Sequence, residues 1–348
     1  MILPDFIQPF LSRPELGGAL YATREEAVAA QARAHRDAHG IRPASSDRER
    51  VIAVPIDVQV GFCMDPAFAP PLPFPTGGGS LHVPSSGADT TRAAAFMLRN
   101  LERITAIRPS LDTHRVHQVF HADFWRDETG APPPPFTVME VQGESVLGRL
   151  PDGSARPFAA RLDPALGLAY CRALAEQGAA PLSIWPYHCR LGSTHHALMP
   201  LLSELQLFWA IARQAADPVD LKGQQTWTES YGIVGDEVES LAGQRVGDSE
   251  RPGYINALLH YDRVVLFGQA LSHCVRATVD QIAAAFTARG AALSRLVLLQ
   301  DCCSPVPAIP GFEQDPDSPL NFPAVGRAAL DRWRAQGIQV IDSTQDLP

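Results

Sequence analysis

Short apolar runs alternate with segments of helical periodicity through the last third of the chain. Residues 264–268 and 296–300 are almost wholly apolar, which is typical of strands buried on both faces of a parallel sheet. Between them, residues 274–289 place apolar side chains at intervals of three and four, which predicts an amphipathic helix. The alternation predicts an α/β fold in three layers, α/β/α, with a mostly parallel central sheet.

The same pattern continues in the earlier part of the chain. Further strands are predicted at residues 51–57, 107–111 and 219–221, and helices at residues 89–105 and 195–213. Pro55 is unusual inside a strand because proline has no N–H to donate to the sheet. Ligand sites in parallel sheets lie at the carboxyl ends of the strands, so the residues that follow each strand are candidates for chemistry.

Two segments fall outside this alternation. Residues 1–47 are predicted to form an N-terminal arm with a helix at residues 24–39, and residues 48–348 to form the main domain. Within the main domain, the region of about 127–180 contains a run of four prolines and several turn signals. This composition predicts an insertion of loops or a hairpin in the α/β domain.

Composition and charge narrow the classes of partner. The 348 residues carry a formal net charge of −9, which disfavours nucleic acid and anionic membrane surfaces as partners. A membrane span is not expected, because the chain has no run of 18 apolar residues. The six cysteines form no C-x-x-C pair and the N-terminus has no export-signal pattern, so we expect free thiols in a reducing cytoplasm.

Lys222 is the only lysine among 29 basic residues. Because it stands between Leu221 and Gly223, the chain has no Gly-Lys-Ser/Thr phosphate-binding loop, and nucleotide hydrolysis of that type is excluded. A coding bias toward arginine explains the other basic residues. The remaining lysine either escapes this bias by chance or serves a role that a planar guanidinium cannot fill.

Cys274 lies at the predicted N-terminus of a helix, directly after a strand and a turn. Backbone N–H groups and the helix dipole favour a thiolate there, which could attack an amide or ester carbonyl while N–H groups of the same turn bind the oxyanion. Asp57 and Lys222 end predicted strands at the same edge of the sheet and could act on this thiol as base and cation. The alternatives are structural: Cys274 as buried filler, and Asp57 as a helix cap or an ion-pair partner.

A group of histidines and one aspartate follows another predicted strand. Asp112 and His114 are alternate residues of an extended segment and therefore face the same way. His117 and His121 follow within seven residues, and His188 lies in a proline-containing turn. Two or three histidines with one carboxylate suit a catalytic Zn²⁺ or Fe²⁺ ion, whereas the structural alternative is a set of surface histidines and a helix cap.

Taken together, these segments resemble the isochorismatase-like cysteine hydrolases, and their nicotinamidase-like members in particular. Lys222-Gly223 falls in the family's order, between the Trp-Pro-Tyr-His-Cys segment and the segment that contains Cys274. Five stretches carry the resemblance: residues 56–63, 79–84, 110–114, 185–189 and 268–275. The chain is longer than is usual in the family, and it has Leu271-Ser272 where nicotinamidases usually have Thr-Asp.

The resemblance implies a catalytic role for each of several residues. Asp57 would take the proton of Cys274, and Lys222 would orient and stabilise this pair. Cys274 would then attack a carboxamide, release ammonia and form a thioester that water hydrolyses. The backbone amides of Ala270 and Cys274 would form the oxyanion hole, and the family often has a cis peptide at the bond that matches Gln269–Ala270.

The resemblance also implies a divalent metal, expected to be Zn²⁺ with Fe²⁺ or Mn²⁺ as alternatives. Phe62 and Trp185 match positions that enclose the substrate ring, a use for flat aromatic faces. The expected metal ligands are Asp112, His114, His188 and, in preference to His117, His121. Family members often assemble into homo-oligomers, so a homo-oligomer is expected here.

Three functions remain open from the sequence. The first is hydrolysis of nicotinamide or a similar heteroaromatic amide to the acid and ammonia. The second is hydrolysis of another amide, a ureide or an N-carbamoyl compound by the same chemistry. The third is a non-catalytic member that binds a ligand in the same pocket.

Overall fold

The computed structural model describes residues 3–68 and 79–348. Its helices are α1 (Gln8–Ser12), α2 (Glu25–His39), α3 (Val60–Cys63), α4 (Ser86–Arg99), α5 (Pro164–Glu176), α6 (Pro200–Arg213), α7 (Tyr254–Leu259), α8 (Cys274–Ala288) and α9 (Phe322–Ala335). Its strands are β1 (Val51–Ile56), β2 (Ile104–Ile107), β3 (Ser110–Asp112), β4 (Trp125–Arg126), β5 (Val138–Gln142), β6 (Ser145–Arg149), β7 (Ala155–Ala160), β8 (Leu182–Ser183), β9 (Asp220–Lys222), β10 (Ser240–Leu241), β11 (Gln244–Arg245), β12 (Arg263–Gly268), β13 (Leu296–Leu299) and β14 (Gln339–Ile341). Among the described residues, none of the helices has the length and apolar character needed to cross a bilayer.

The central sheet has the strand order β14-β13-β12-β1-β3-β9, with β2 also paired to β1. All of these strand pairs are parallel. Every residue of β1 and of β13 is buried, and because successive side chains point to opposite faces, both faces of the sheet are covered. The predicted α/β class with a mostly parallel sheet is therefore confirmed.

Pro55 is accommodated by a change of partner strand beside β1. The pairing of β1 with β2 ends at Ala53 and Ile107, and its pairing with β3 begins at Ile56 and Ser110. Pro55 lies between these two pairings, where one neighbouring strand gives way to the next. The missing N–H therefore falls at an interruption of the ladder, which explains how proline fits a central strand.

The insertion forms an antiparallel sheet of its own. Strands β5, β6 and β7 form a meander, and the sheet order is β4-β7-β6-β5-β8. Because β4 precedes residue 127 and β8 follows residue 180, the sheet extends slightly beyond both expected limits. Helix α5 packs on β5 and β7 and begins at Pro164, where the Asp163 side chain accepts hydrogen bonds from two backbone N–H groups of the first turn.

The N-terminal arm packs on the main domain through both apolar and charged contacts. Helix α2 contacts α6, and the segment before α2 contacts α4. Glu204 of α6 has a fully buried carboxylate, which accepts hydrogen bonds from the Arg24 backbone N–H at 2.7 Å and from the Tyr21 hydroxyl at 2.9 Å. The arm is thus attached at a buried, satisfied carboxylate, while its predicted boundary at residue 47 stays a prediction.

Candidate active site

Four predicted site residues meet at the carboxyl edge of the central sheet. Asp57 directly follows β1, Asp112 ends β3, and Lys222 ends β9. Cys274 follows β12 after a turn and is the first residue of α8. The side-chain ligand atoms of Asp57, Asp112 and Cys274 all lie within 4.8 Å of one another, as expected for residues at neighbouring ends of parallel strands.

Lys222 lies at the centre of this group and is fully buried. Its Nζ atom is 2.9 Å from Asp57 Oδ2 and donates hydrogen bonds to Asp112 Oδ1 at 2.9 Å and to the Ser230 carbonyl at 3.0 Å. The Cys274 Sγ atom is 3.5 Å from the same nitrogen. Burial alone would lower the pKa of Lys222, but the two carboxylates raise it well above its usual value, so the side chain is an ammonium.

The residue after Lys222 is a glycine for a steric reason. Gly223 has a φ of +75°, and a Cβ added to it would lie 2.6 Å from Asp112 Oδ1 and 2.9 Å from His114 Cε1. Any side chain would therefore displace the residues next to the lysine. The Lys-Gly pair in the sequence thus reports the close approach of β9 to the aspartate and histidine that follow β3.

Asp57 is a fully buried carboxylate with an open proton-accepting atom. Its Oδ1 atom accepts a hydrogen bond from the Ser110 hydroxyl at 2.6 Å, while Oδ2 faces Lys222 and accepts no hydrogen bond from the other described residues. Burial raises the pKa of Asp57 above its ordinary value, although the charge of Lys222 opposes this shift. A carboxylate with a raised pKa is better matched to proton transfer near neutral pH than an exposed one.

The environment of Cys274 differs from the expectation of a thiolate held by the helix N-terminus. Burial raises the pKa of the Cys274 thiol well above its usual value, and the opposing effect of Lys222 is smaller. Desolvation of the sulfur therefore outweighs the charge and the helix dipole. The resting sulfur is a neutral thiol, and it needs a neighbouring base to become a nucleophile.

Two backbone N–H groups next to the sulfur have no acceptor in the described part of the chain. These are the N–H groups of Ala270 and Cys274, whereas the neighbouring N–H of Leu271 donates to the Ser304 carbonyl at 2.9 Å. The peptide bond between Gln269 and Ala270 is cis, as the resemblance implies. Unpaired N–H groups beside a nucleophile are the arrangement that an oxyanion hole requires.

The expected metal ligands lie beside this group. Ligand atoms of Asp112, His114 and His188 lie within 4.8 Å of one another. Asp112 Oδ2 is 2.9 Å from His114 Nε2 and 3.8 Å from His188 Nε2. The His121 ring lies further out, with its centre 5.8 Å from that of His114 and 6.1 Å from that of His188, while His117 is exposed.

His121 and His188 share a tautomer that leaves Nε2 available to a metal, whereas both ring nitrogens of His114 face acceptors. Burial alone would lower the pKa of His114, but the Asp112 carboxylate raises it. In each of the three rings, Nδ1 contacts a backbone carbonyl, which can only accept a hydrogen bond, so Nδ1 carries the proton. The pairs are His114 with Gly223 at 3.1 Å, His188 with Pro186 at 2.8 Å, and His121 with Val116 at 3.2 Å. The buried His121 Nε2 has no partner in residues 3–68 and 79–348, and burial lowers the pKa of His121 to about 4. This ring is therefore neutral and has a lone pair available to a metal.

A small cavity borders Cys274, Asp112 and His188. Its walls include both predicted substrate-binding aromatics, Phe62 and Trp185, together with Ala270 and Cys274. The Phe62 ring lies edge-on to His188, with their centres 5.3 Å apart. The Trp185 indole N–H donates to the Tyr231 hydroxyl at 3.1 Å, which fixes the face that the tryptophan turns to the cavity.

Sequence reasoning missed several residues of this cavity. Glu229, Tyr231 and His273 also line it, and burial raises the pKa of Glu229 to about 7. Residues 223–239 form no helix or strand, so no periodicity indicated which of their side chains face inward. The sequence held one indirect signal: these residues directly follow Lys222, and loops that follow such strand ends often contain functional residues.

Comparison with known proteins found similarity among solved structures. No family model and no curated protein matches the chain. The chain is similar to a nicotinamidase/pyrazinamidase of Acinetobacter baumanii, with 16% identity over 86% of this chain and 98% of that chain and a TM-score of 0.48. The chain is also similar to the yeast nicotinamidase, with 19% identity over 84% of this chain and 99% of that chain and a TM-score of 0.48. A third similar structure is a zinc complex of the pyrazinamidase of Pyrococcus horikoshii, with 14% identity over 84% of this chain and 98% of that chain and a TM-score of 0.42.

The proteins found in this way are of the kind that the sequence motifs resemble. Another is an isochorismatase family protein from Desulfovibrio vulgaris.

Proposed function

We propose that this chain is a cysteine hydrolase that converts a small primary carboxamide to the acid and ammonia. Asp57, Lys222 and Cys274 are the proposed catalytic residues. One observation carries the proposal: a single buried ammonium contacts a buried carboxylate at 2.9 Å and a cysteine sulfur at 3.5 Å. This group lies beside a cavity and next to two unpaired backbone N–H groups.

In the first half of the reaction, Asp57 takes the thiol proton of Cys274 as Sγ attacks the carboxamide carbon. The Lys222 ammonium stabilises the negative charge on sulfur as the proton leaves. The carbonyl oxygen becomes an oxyanion, which accepts hydrogen bonds from the N–H groups of Ala270 and Cys274. Protonated Asp57 then returns the proton to the amide nitrogen, the C–N bond breaks, and ammonia leaves behind a thioester.

In the second half, water replaces ammonia in the site. Asp57 takes a proton from the water as its oxygen attacks the thioester carbon, and the same N–H groups bind the second oxyanion. The C–S bond breaks, the carboxylic acid is released, and the proton returns to Cys274. The raised pKa values of Asp57 and Cys274 favour this concerted proton transfer over a permanent thiolate–ammonium pair.

The residues beside the triad fit a divalent metal, for which we propose Zn²⁺, with Fe²⁺ or Mn²⁺ as alternatives. The supporting observation is the Nε2 lone pairs of His121 and His188, the first of them buried without a partner among the described residues. They lie beside His114 and the carboxylate of Asp112. The residues that would hold the metal are Asp112, His114, His121 and His188. When bound, the metal would supply a Lewis-acid anchor for a ring nitrogen or an ordered water.

The leading substrate is nicotinamide or a similar heteroaromatic amide. Phe62 and Trp185 bring two aromatic side chains to the cavity that contains Cys274, and flat faces of this kind pack well on a heteroaromatic ring. The second candidate is another amide, a ureide or an N-carbamoyl compound, which the polar wall at Glu229 favours. Both candidates use the same chemistry at Cys274.

We further propose a reducing compartment, the cytoplasm, and a homo-oligomer. All six cysteines are buried and unpaired, which fits a reducing environment. Analytical ultracentrifugation measures the oligomeric state, and a sedimentation coefficient of a 37.7 kDa monomer would reject the assembly without affecting the chemistry.

The experiment that tests the proposal is ammonia release from a panel of amides by protein loaded with metal. The panel contains nicotinamide, pyrazinamide, a ureide and an N-carbamoyl amino acid. Nicotinamide turnover supports the leading substrate, whereas turnover of another member alone supports the second candidate. If none of them releases ammonia but at least one binds without turnover in calorimetry, the chain is the non-catalytic ligand-binding member instead.

Two cysteine variants separate the nucleophile from general effects on the fold. Cys274→Ala is expected to abolish turnover and to keep the bound metal, because the sulfur is not among the metal ligands. The matched control is Cys171→Ala, which removes another buried thiol, in α5. Turnover that survives in Cys274→Ala would remove the nucleophile assignment.

A further inference from the structure

Glu229 is a buried carboxylate that its own protein only half satisfies. The residue is 4% exposed. Its Oε1 atom accepts a hydrogen bond from the Ser230 N–H at 3.0 Å. Within residues 3–68 and 79–348, no side chain or backbone group donates to Oε2. Oε2 is therefore free to accept a hydrogen bond from a group that enters the cavity.

The open acceptor faces the space where substrate binds. Glu229 lines the same cavity as Cys274, Trp185 and Tyr231. It also lines a second, wider cavity of about 410 Å³ that helices α5 and α8 enclose together with residues 319–325. Glu229 therefore borders both the cavity that contains Cys274 and the wider one.

Glu229 has no role in the proposed hydrolysis. The proton transfers use Asp57, and the proposed metal uses Asp112 and three histidines. Glu229 is not among the residues whose ligand atoms cluster with Asp112. A buried, cavity-lining carboxylate with one oxygen paired to the backbone and the other open is instead an arrangement that recognises a hydrogen-bond donor on a ligand.

We propose that Glu229 is a specificity-determining residue that accepts a hydrogen bond from an N–H donor of the substrate. The substrate class is a primary carboxamide that carries an amino group on the side remote from the reacting carbonyl. This inference rests on the proposed amide hydrolysis at Cys274. The wider cavity beyond Glu229 leaves room for substituents larger than the amino group itself.

The test compares matched amides that differ only in the donor. Aminonicotinamides substituted at ring positions 2, 5 and 6 are paired with methylnicotinamides of the same positions, because amino and methyl groups are similar in size. The assay is run above pH 8, where a carboxyl group of pKa about 7 is ionised. A hydrogen bond to this charged acceptor then predicts that kcat/KM is about 10- to 100-fold higher for the amino member at one position at least. This ratio is measured on the unmodified chain, so it does not depend on how any variant folds.

Glu229→Gln is the variant that assigns the preference to this residue. The amide Oε1 keeps the hydrogen bond from Ser230, so the NH₂ group faces the cavity and offers a donor where the substrate also has one. The ratio of amino to methyl substrate is expected to fall to about one or below. The matched control is Glu237→Gln, which changes a carboxyl group that lines only the wider cavity and is expected to leave the ratio of these small amides unchanged.

The outcomes separate this inference from the proposed function. Turnover of nicotinamide with no preference for any amino member would overturn the role of Glu229 and leave the hydrolase intact. A preference that persists in Glu229→Gln would assign the donor to another acceptor and also overturn it. If no amide is hydrolysed at all, the proposed function fails first, and binding of the amino and methyl pairs by calorimetry then tests Glu229 directly through the ratio of their dissociation constants.

Discussion

Asp112 connects Lys222 to the proposed metal ligands through its two carboxylate oxygens. Oδ1 accepts a hydrogen bond from Lys222 Nζ at 2.9 Å, while Oδ2 lies 2.9 Å from His114 Nε2. His114 and Lys222 both lower the pKa of Asp112, and this outweighs the effect of burial. A single carboxylate therefore lies between the ammonium of the proposed triad and the proposed metal ligands, so a change on either side is expected to act on the other.

Lys222→Arg is expected to lower kcat/KM by about 100-fold or more. The Nζ atom has three oxygen atoms within 3.0 Å in a site with no exposed surface. A planar guanidinium is larger and cannot reproduce these three contacts. Steady-state kinetics with the best amide of the panel measures the effect.

The control for this substitution is Arg213→Lys. Arg213 is also a buried cation, and it pairs with Asp47 far from the cavity. It is expected to lower the melting temperature while turnover stays near normal. Near-normal turnover in Lys222→Arg would instead show that the single lysine escapes the coding bias by chance.

Asp57 is expected to determine the acidic side of the pH profile. Burial raises its pKa, so the carboxylate that takes the thiol proton is lost at a higher pH than for an exposed aspartate, and kcat/KM falls as the pH decreases through this value. Asp57→Asn cannot accept the proton, so we expect a loss of about 10²- to 10⁴-fold and no remaining acidic limb. An unchanged acidic limb in the variant would show that another group is the base.

His121 is expected to strengthen metal binding. Protein purified without chelator should contain about one divalent ion per chain by elemental analysis. His121→Ala should weaken zinc affinity by about 10-fold or more in competition with a chromogenic chelator, because its buried Nε2 is unsatisfied without a metal. The matched control is His117→Ala, an exposed histidine of the same segment, and equal affinities of the two variants would exclude His121 as a ligand.

The N-terminal arm is expected to contribute to stability through Glu204. Arg24→Ala would leave the buried Glu204 carboxylate without its cation, so we expect the free energy of unfolding to fall by about 3 kcal/mol. This value is at the lower end of the range for buried pairs because Arg24 is partly exposed. Urea denaturation measures this loss. Arg36→Ala, which removes a more exposed ion pair of α2, is expected to cost less than about 1 kcal/mol, and equal effects would show that the arm is not held at Glu204.

The sequence predicted those parts of the site that follow regular strands. Asp57 follows an apolar run, whereas Asp112 and Lys222 end short segments that also contain polar residues. The parallel sheet brings these strand ends together. The helix at Cys274 was predicted from its apolar periodicity and begins at that residue. These positions could be predicted because the local sequence pattern indicates where strands end. The family resemblance then indicated which of these strand ends contain catalytic residues.

Other features depend on packing that the local pattern does not contain. The state of the Cys274 thiol is determined by how completely the fold buries it, which outweighs the helix N-terminus that the sequence shows. Glu229 and Tyr231 lie in a long irregular segment, so no periodicity indicated that they line the cavity. The helix predicted at residues 195–213 begins at Pro200, because proline is favoured in the first turn, where its missing N–H is not needed.

Because Lys222 is the only lysine of the chain and is fully buried at the triad, it offers a spectroscopic probe of catalysis. Protein grown with nitrogen-15 lysine would show a single side-chain amine signal in a nuclear magnetic resonance spectrum, and that signal needs no assignment. Its chemical shift would report directly on the charge at the centre of the site as substrate, metal or pH changes.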